Sequence, residues 1–254
     1  GLVVVIVAPS HTKQDPDPHA VVAFDQLVDA SINRPARYMG HELGVEPRDW
    51  EAARVRWALT YPEIYEVGSS NLGHIILYSI LNAVPGQLCD RAYLPASDLS
   101  ERLKERNQAL FAVESRRPLP AFDILGFSLS YELGATNILA MLDLAKVPLY
   151  AAERGDLPLS HPESPPLIFA GGPTATSNPE PYAAFFDFIA LGDGEELLLR
   201  LDWWWQKPKL RAGLERTCFV IWLLSQGFMC RLSTDLISKG SAWSRWRLVF
   251  PPDC

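Results

Sequence analysis

The sequence predicts an α/β domain with a doubly wound, mostly parallel sheet of five strands. Three observations lead there. Short runs such as Leu167-Ile168-Phe169-Ala170 and Phe188-Ile189-Ala190-Leu191 are wholly apolar, as suits strands buried on both faces. Both end abruptly in glycine, at Gly171-Gly172-Pro173 and at Gly192-Asp193-Gly194-Glu195-Glu196, where the backbone can turn tightly and a ligand can come close. Strand patterns alternate with helical ones, which specifies parallel pairing through right-handed crossovers.

The chain opens with Leu2 to Ala8, apolar but too short to span a bilayer and without the basic residue that precedes a secretory core. It reads as a buried strand or a fragment of one. The proline-rich stretch from His11 to His19 reads as linker. His11 and His19 flank two aspartates, but nothing fixes their geometry, and a solvated loop is the plainer reading than a metal site. Residues 1–33 are therefore set apart as an extension. Arg34 and Arg37, beside Tyr38 and Gly40, would suit a clamp on a phosphate or carboxylate, since a guanidinium fork matches such groups; an exposed entry segment is the other reading.

The first firm strand is Val55–Thr60, closed by Tyr61-Pro62. After the loop Glu63–Asn71, Ser69, Ser70 and Asn71 offer helix caps, and Leu72, Ile75, Ile76, Ile80 and Ala83 recur at helical spacing until Pro85-Gly86. A second strand, Cys89–Leu94, stops at Pro95, and Ser97-Asp98 opens a charged helix to about Asn107. Ala109–Val113 reads as a short edge strand, and Arg116-Arg117 as a solvated turn. The third strand is Phe122–Ser130, followed by a helix from about Thr136 to Lys146, and residues 151–166 form a surface connection. Leu167–Ala170 is the fourth strand. Asn178-Pro179-Glu180-Pro181 leads into a helical turn, Phe186–Leu191 is the fifth strand, and Glu195-Glu196 start a closing helix.

Composition narrows the function. With 48% hydrophobic and 21% charged residues, the chain suits a soluble protein with a real core. A formal charge of −7 argues against nucleic acid as partner, and no membrane partner is expected. Cys89, Cys218, Cys230 and Cys254 show neither CxxC nor CxxxCxxC spacing, so no metal or cluster site is encoded locally, and a reducing cytoplasm is expected.

Four loops converge at the carboxyl edge of such a sheet, where open α/β folds bind ligands. They are Glu66–Asn71, Ser128–Glu132, Gly171–Thr174 and Gly192–Glu195. The candidate binding residues are Glu66, Val67, Gly68, Ser69 and Asn71; Ser128, Leu129, Ser130, Tyr131 and Glu132; Gly171, Gly172 and Pro173; and Gly192, Asp193, Gly194 and Glu195. The pattern suits a small molecule with phosphate or amide groups. No GxGxxG follows the first strand, and no Walker loop or Gly-x-Ser-x-Gly elbow occurs. No nucleophile with a neighbouring base stands out, and no catalytic residue is assigned.

Five segments carry a resemblance: Val67-Gly68-Ser69-Ser70-Asn71-Leu72-Gly73, Glu114-Ser115-Arg116-Arg117-Pro118-Leu119, Gly126-Phe127-Ser128-Leu129-Ser130-Tyr131-Glu132, Ala170-Gly171-Gly172-Pro173 and Gly192-Asp193-Gly194-Glu195-Glu196. Residues 34–201 resemble the amino-terminal cobalamin-binding-type, Rossmann-like (flavodoxin-like) domain of a family of radical S-adenosylmethionine proteins. The resemblance implies a corrin over the carboxyl edge, with its nucleotide tail beside Gly171 and Gly172. Ser128 and Ser130 would offer hydroxyls, and the amides of residues 192–195 would face the ligand's polar arms. The Asp-x-His-x-x-Gly motif of mutase-type domains is absent: the loop reads Glu66-Val67-Gly68-Ser69-Ser70-Asn71, so no protein histidine would ligate cobalt. His74 falls inside the next helix and reads as a core or surface residue. The resemblance also implies a [4Fe–4S] cluster, held by three cysteines in a barrel domain, that cleaves S-adenosylmethionine. The sequence has no such triplet, so a truncated, inactive module is expected.

Residues 202–254 stand apart. Residues 1–202 carry 15 basic and 27 acidic side chains, whereas residues 203–254 carry 8 and 3 and hold six of the eight tryptophans. Tryptophan has one codon, so Asp202 to Pro208 must be encoded GAY TGG TGG TGG CAR AAR CCN. Read from the third base of the Asp202 codon, those bases give Leu-Val-Val-Ala, then Lys or Glu, then Ala or Thr, which continues a helix better than three indoles do. Either this tail is an out-of-frame translation or it is an apolar segment for membrane or partner contact. The gene sequence decides. For the chain as a whole, the alternative to a cofactor module is a non-catalytic α/β domain that binds a nucleotide or another phosphate-bearing ligand.

Overall fold

The computed structural model describes residues 20–198, apart from 41, 43, 44, 46, 47, 156, 158–160, 162, 196 and 197. Five strands, β1 (Val55–Tyr61), β2 (Gln87–Tyr93), β3 (Ile124–Ser128), β4 (Leu167–Gly171) and β5 (Phe188–Ile189), form one sheet. Their order is β2-β1-β3-β4-β5, and every neighbouring pair is parallel. This is the flavodoxin-like doubly wound arrangement, and its topological switch point lies between β1 and β3.

The wholly apolar strands are buried on both faces. Val55, Trp57 and Leu59 point into a core with Leu81, Phe169, Phe188 and Leu198, while Ala58, Leu125, Phe127 and Ile168 join a larger core on the opposite face. The helices that cover the sheet are α3 (Leu72–Ala83) on the first face, and α4 (Ser97–Glu105) and α5 (Gly134–Leu144) on the second. Shorter helices are α1 (Phe24–Leu27), α2 (Tyr65–Gly68) and α6 (Pro173–Ser177). A strand interior needs glycine at 126, because a Cβ there would sit 2.7 Å from the Phe169 ring. That ring stacks on Phe188 at 5.0 Å and meets Trp57 edge-on at 6.5 Å.

β2 is an edge strand, and the polar groups of its outer edge are paired by side chains and a returning loop. Asn82 of α3, buried, donates its amide N–H to the Cys89 carbonyl at 2.9 Å and accepts the Cys89 N–H at 2.9 Å, standing in for a neighbouring strand. Val113 donates its N–H to Arg91 O at 2.9 Å. The fully buried Asp90 carboxylate accepts the N–H groups of Arg91, Glu114 and Ser115. Unpaired edges invite association with other chains, and here the fold closes one with its own polar groups.

Several expectations change in detail. The segment Ala109–Val113 is not a strand; it holds one antiparallel bridge, Phe111 to Pro118, and lies along β2. In α3 the apolar residues Leu72, Ile75, Ile76 and Ala83 are exposed, with Gly73 and Ser79, while His74, Leu81 and Asn82 are buried. Apolar spacing alone pointed to the wrong face, because Asn82 is needed at the β2 edge and His74 fills a gap among tyrosines. Arg116 and Arg117 are not a solvated turn: their guanidinium groups lie 4.1 Å from the Phe24 ring centroid and 4.9 Å from that of Trp50. Within the segment set apart as an extension, Val22, Phe24, Leu27, Val28 and Ile32 join the larger core. The proposed strand Leu2–Ala8, the stretch His11–His19, Glu196 and the whole of residues 202–254 lie outside the described residues.

Candidate functional site

The four loops named from the sequence meet at the carboxyl edge and are laced together by hydrogen bonds. From the loop after β3 the Tyr131 hydroxyl donates to Glu63, and from α5, which follows it, Asn137 donates its amide to Pro62 O at 2.8 Å, tying both to the loop after β1. Leu129 donates its N–H to Gly171 O at 2.7 Å and accepts that of Thr174 at 3.2 Å, which joins the loops after β3 and β4. Gly192 donates to the Thr176 hydroxyl at 3.2 Å, linking the loop after β5 to α6.

Each loop is shaped by a local requirement. In the first, the Asn71 side chain caps α3 by accepting the His74 N–H at 3.0 Å. Gly68 is buried, and a Cβ there would lie 2.5 Å from the Tyr93 ring and 3.0 Å from Tyr61 Cβ. Gly172 has φ +113°, and a Cβ would lie 2.8 Å from Leu129 O, so this glycine serves a close approach between two loops of the chain itself. Gly171 faces Ala190 Cβ at ordinary contact distance, and Gly194 approaches Leu77. Gly192, with φ +82°, has open space where its side chain would be.

Of the predicted residues, Glu66, Val67, Tyr131, Glu132, Pro173, Gly192, Asp193 and Glu195 are exposed at this edge. Ser69, Asn71, Ser128, Ser130, Gly171, Gly172 and Gly194 are half-buried, and Gly68 and Leu129 are buried. Leu133, 79% exposed, and Leu72, 69% exposed, add an apolar rim with Val67 and Tyr131. The edge is thus a broad surface with polar backbone, the hydroxyl residues Ser69, Ser128 and Ser130 and apolar borders, and it leaves no gap beside Gly68 or Gly172.

Beneath the first loop sits a polar cluster that sequence reading missed. Arg91, whose side chain is 4% exposed, lies 2.8 Å from Glu42 and 2.9 Å from Glu114, and its guanidinium is 4.6 Å from the Tyr78 ring centroid. Tyr78 donates its hydroxyl to Glu114 at 2.9 Å, and Tyr65 donates to Glu42. Burial, reinforced by Asp90, pushes the Glu114 carboxyl up to about 7. His74 lies between the rings of Tyr61 and Tyr93, and burial holds its pKa down at about 3, so it is neutral. A cue was present: Asp90-Arg91 inside an otherwise buried strand signals charges that need partners, though not which ones. A cavity of about 340 Å³ opens beside this cluster, at the outer edge of β2, among Met39, Val45, Leu88, Cys89 and Glu114; none of the four loops lines it.

The arginines singled out as a clamp also have a partner. Arg34 and Arg37 both donate to one oxygen of Glu66, at 3.0 and 2.8 Å. Hydrogen bonding from Arg37 lowers the Glu66 pKa. Among the described residues, no group of three or more His, Cys, Asp or Glu could hold a metal ion, and no helix is long and apolar enough to cross a membrane.

A family model described as radical SAM proteins, N-terminal, matches residues 73–221, more than half of the chain. No curated protein and no solved structure matches it.

Proposed function

The chain belongs to the family of radical SAM proteins, as their N-terminal portion, and on that premise we propose that residues 34–201 are a cobalamin-binding-type module of such an enzyme. The family implies a [4Fe–4S] cluster and S-adenosylmethionine for the full-length protein; the CxxxCxxC triplet that would hold a cluster does not occur in this sequence. The observation that carries the reading is the carboxyl edge itself. A flavodoxin-like order with its switch point between β1 and β3 gathers the four loops into one surface, as ligand-binding sheets of this class do.

The residues present fit a flat ligand lying across the edge, and they do not provide a channel between the strands. Val67, Leu72, Tyr131 and Leu133 offer apolar contact, Ser128 and Ser130 offer hydroxyls, and the open space at Gly192 admits an approach to the backbone. The bound cofactor would supply a cobalt centre able to carry a methyl group. His74 is buried and neutral beneath the first loop, which supports a cobalt without a histidine from the protein.

Hydroxocobalamin mixed with the pure chain and passed over gel filtration tests the reading. The corrin spectrum is expected to travel with the protein, and Leu133→Asp with Val67→Asp, both at exposed positions, to weaken retention. A corrin that elutes wholly with the salt removes the proposal. The second reading, a site for a nucleotide or other phosphate-bearing ligand, is favoured by the paired arginines at the first loop.

A further inference from the structure

We propose that Arg34 and Arg37 form a seat for a phosphoryl group of a small ligand, occupied in the free protein by the Glu66 carboxylate, which the ligand displaces. The seat is built into the backbone. Residues Pro35–Tyr38 form one turn of 3₁₀ helix with Arg34 as its N-cap. Arg34 precedes that turn and Arg37 lies within it, and the two guanidinium groups stand on the same side, since both reach Glu66 Oε1. Tyr38 fixes the turn: it is buried, and its hydroxyl accepts the Ala96 N–H at 3.1 Å. Arg34 is held at φ 53°, ψ 62°, a left-handed conformation unfavourable for a side chain like its own, and such strain collects at ligand clamps.

The present occupant satisfies the seat poorly. Arg34 Nη1 and Arg37 Nε and Nη2 all converge on a single oxygen, Glu66 Oε1. A guanidinium carries five N–H donors in a planar fork, so two of them exceed what one carboxylate oxygen can accept. Two positive charges also face one negative. A phosphate, with about two charges and three strongly accepting oxygens, matches the pair better.

Glu66 is free to move away. Its side chain is 39% exposed and that of Arg34 is 67% exposed, and ion pairs so open to water contribute little. Arg37, only 12% exposed, is the fixed member. The position is informative as well. Glu66 lies in α2, in the loop after β1, beside the switch point and next to the exposed Val67. Residues 1–202 carry 15 basic against 27 acidic side chains, so a cationic pair at this edge marks out one place for an anion on an acidic domain. The inference does not depend on the corrin reading, since a terminal nucleotide phosphate offers three anionic oxygens and the phosphodiester of a cofactor tail two, and either can be gripped by a pair of guanidinium groups.

The test is calorimetric titration of the full chain with pyrophosphate at low ionic strength, for the wild type, Glu66→Gln, Arg37→Met, Arg34→Met and the remote, exposed Arg106→Met. Glu66→Gln is expected to bind at least fivefold tighter than wild type, Arg37→Met and Arg34→Met to lose binding, and Arg106→Met to match wild type. Thermal melts confirm that each variant is folded. Equal affinity of wild type and Glu66→Gln, or undiminished binding by both arginine variants, overturns the proposal. Cobalamin, cobinamide (which lacks the nucleotide phosphate) and ADP then identify the source. A Glu66→Gln gain for cobalamin but not cobinamide assigns the phosphate to the cofactor tail, and a gain for ADP alone assigns it to a nucleotide, so failure of the corrin reading leaves this result legible.

Discussion

Replacing Asn82 by alanine removes the side chain that completes the outer edge of β2. The amide exchanges two hydrogen bonds of 2.9 Å with the backbone of Cys89, and both residues are buried. Alanine leaves one N–H and one C=O without partners, away from water. At about 1–3 kcal/mol for each buried group left unsatisfied, and with partial relief if water enters the gap, the loss of stability is about 2–4 kcal/mol. That is a large fraction of the 5–15 kcal/mol typical of a whole domain. Urea unfolding followed by circular dichroism measures it. A second readout is chemical. Cys89 is buried and its thiol pKa is raised by burial, so in a background where Cys218, Cys230 and Cys254 are serine it should resist a thiol reagent until the edge opens. In Asn82→Ala its labelling should accelerate in step with the lost stability. A change below about 0.5 kcal/mol, with unaltered labelling, would refute the view that this amide substitutes for a strand.

Three further outcomes are expected. Gly126→Ala places a methyl 2.7 Å from the Phe169 ring and 3.1 Å from Leu59, so it should lower the thermal midpoint, at about 1–3 kcal/mol for forced overpacking. Arg154→Met should be harsher, at about 3–5 kcal/mol in urea unfolding, because it leaves the Asp187 carboxylate buried without its cation 3.4 Å away and also strips donors from Pro148 O and Phe185 O. Glu114 titrates at about 7 in the folded protein, above its unfolded value near 4.5, so its contribution is fully present below pH 4.5 and is lost as pH rises to about 7. Glu114→Gln should flatten that fall by about 1 kcal/mol per pH unit, read from urea midpoints across pH 4.5–7.

The sheet was legible because apolar runs closed by proline or glycine, such as Val55–Thr60 before Pro62 and Leu167–Ala170 before Gly171, admit few other readings. The convergence of the loops followed from parallel connectivity. What sequence could not supply was which atoms fill the space beneath them. Gly172 read as an opening beside a ligand's tail, yet it lies against Leu129, and Gly68, counted among the candidate binding residues, lies under Tyr93. A glycine permits close approach without naming the partner. The α3 face was misread for a related reason: periodicity ranks residues by hydropathy, whereas the β2 edge needed an amide and the tyrosine cluster accepted an imidazole. The Arg34–Arg37 pairing was visible as a pattern, but its carboxylate partner, Glu66, is 29 to 32 positions away and only folding brings it there.

The carbonyl of Arg91 takes its partner, and the Asp90 carboxylate two of its three N–H donors, from residues 113–115, which a ribosome delivers only after β1, β2 and α4 have emerged. Until then, a nascent β1–β2 pair has its flank closed by Asn82 at Cys89 alone, and the Asp90 carboxylate lacks the amides of residues 114 and 115. Chaperone binding to this segment during synthesis should therefore peak before residue 113 leaves the exit tunnel and fall once it has, so that the order of translation sets when the protein becomes safe from its neighbours.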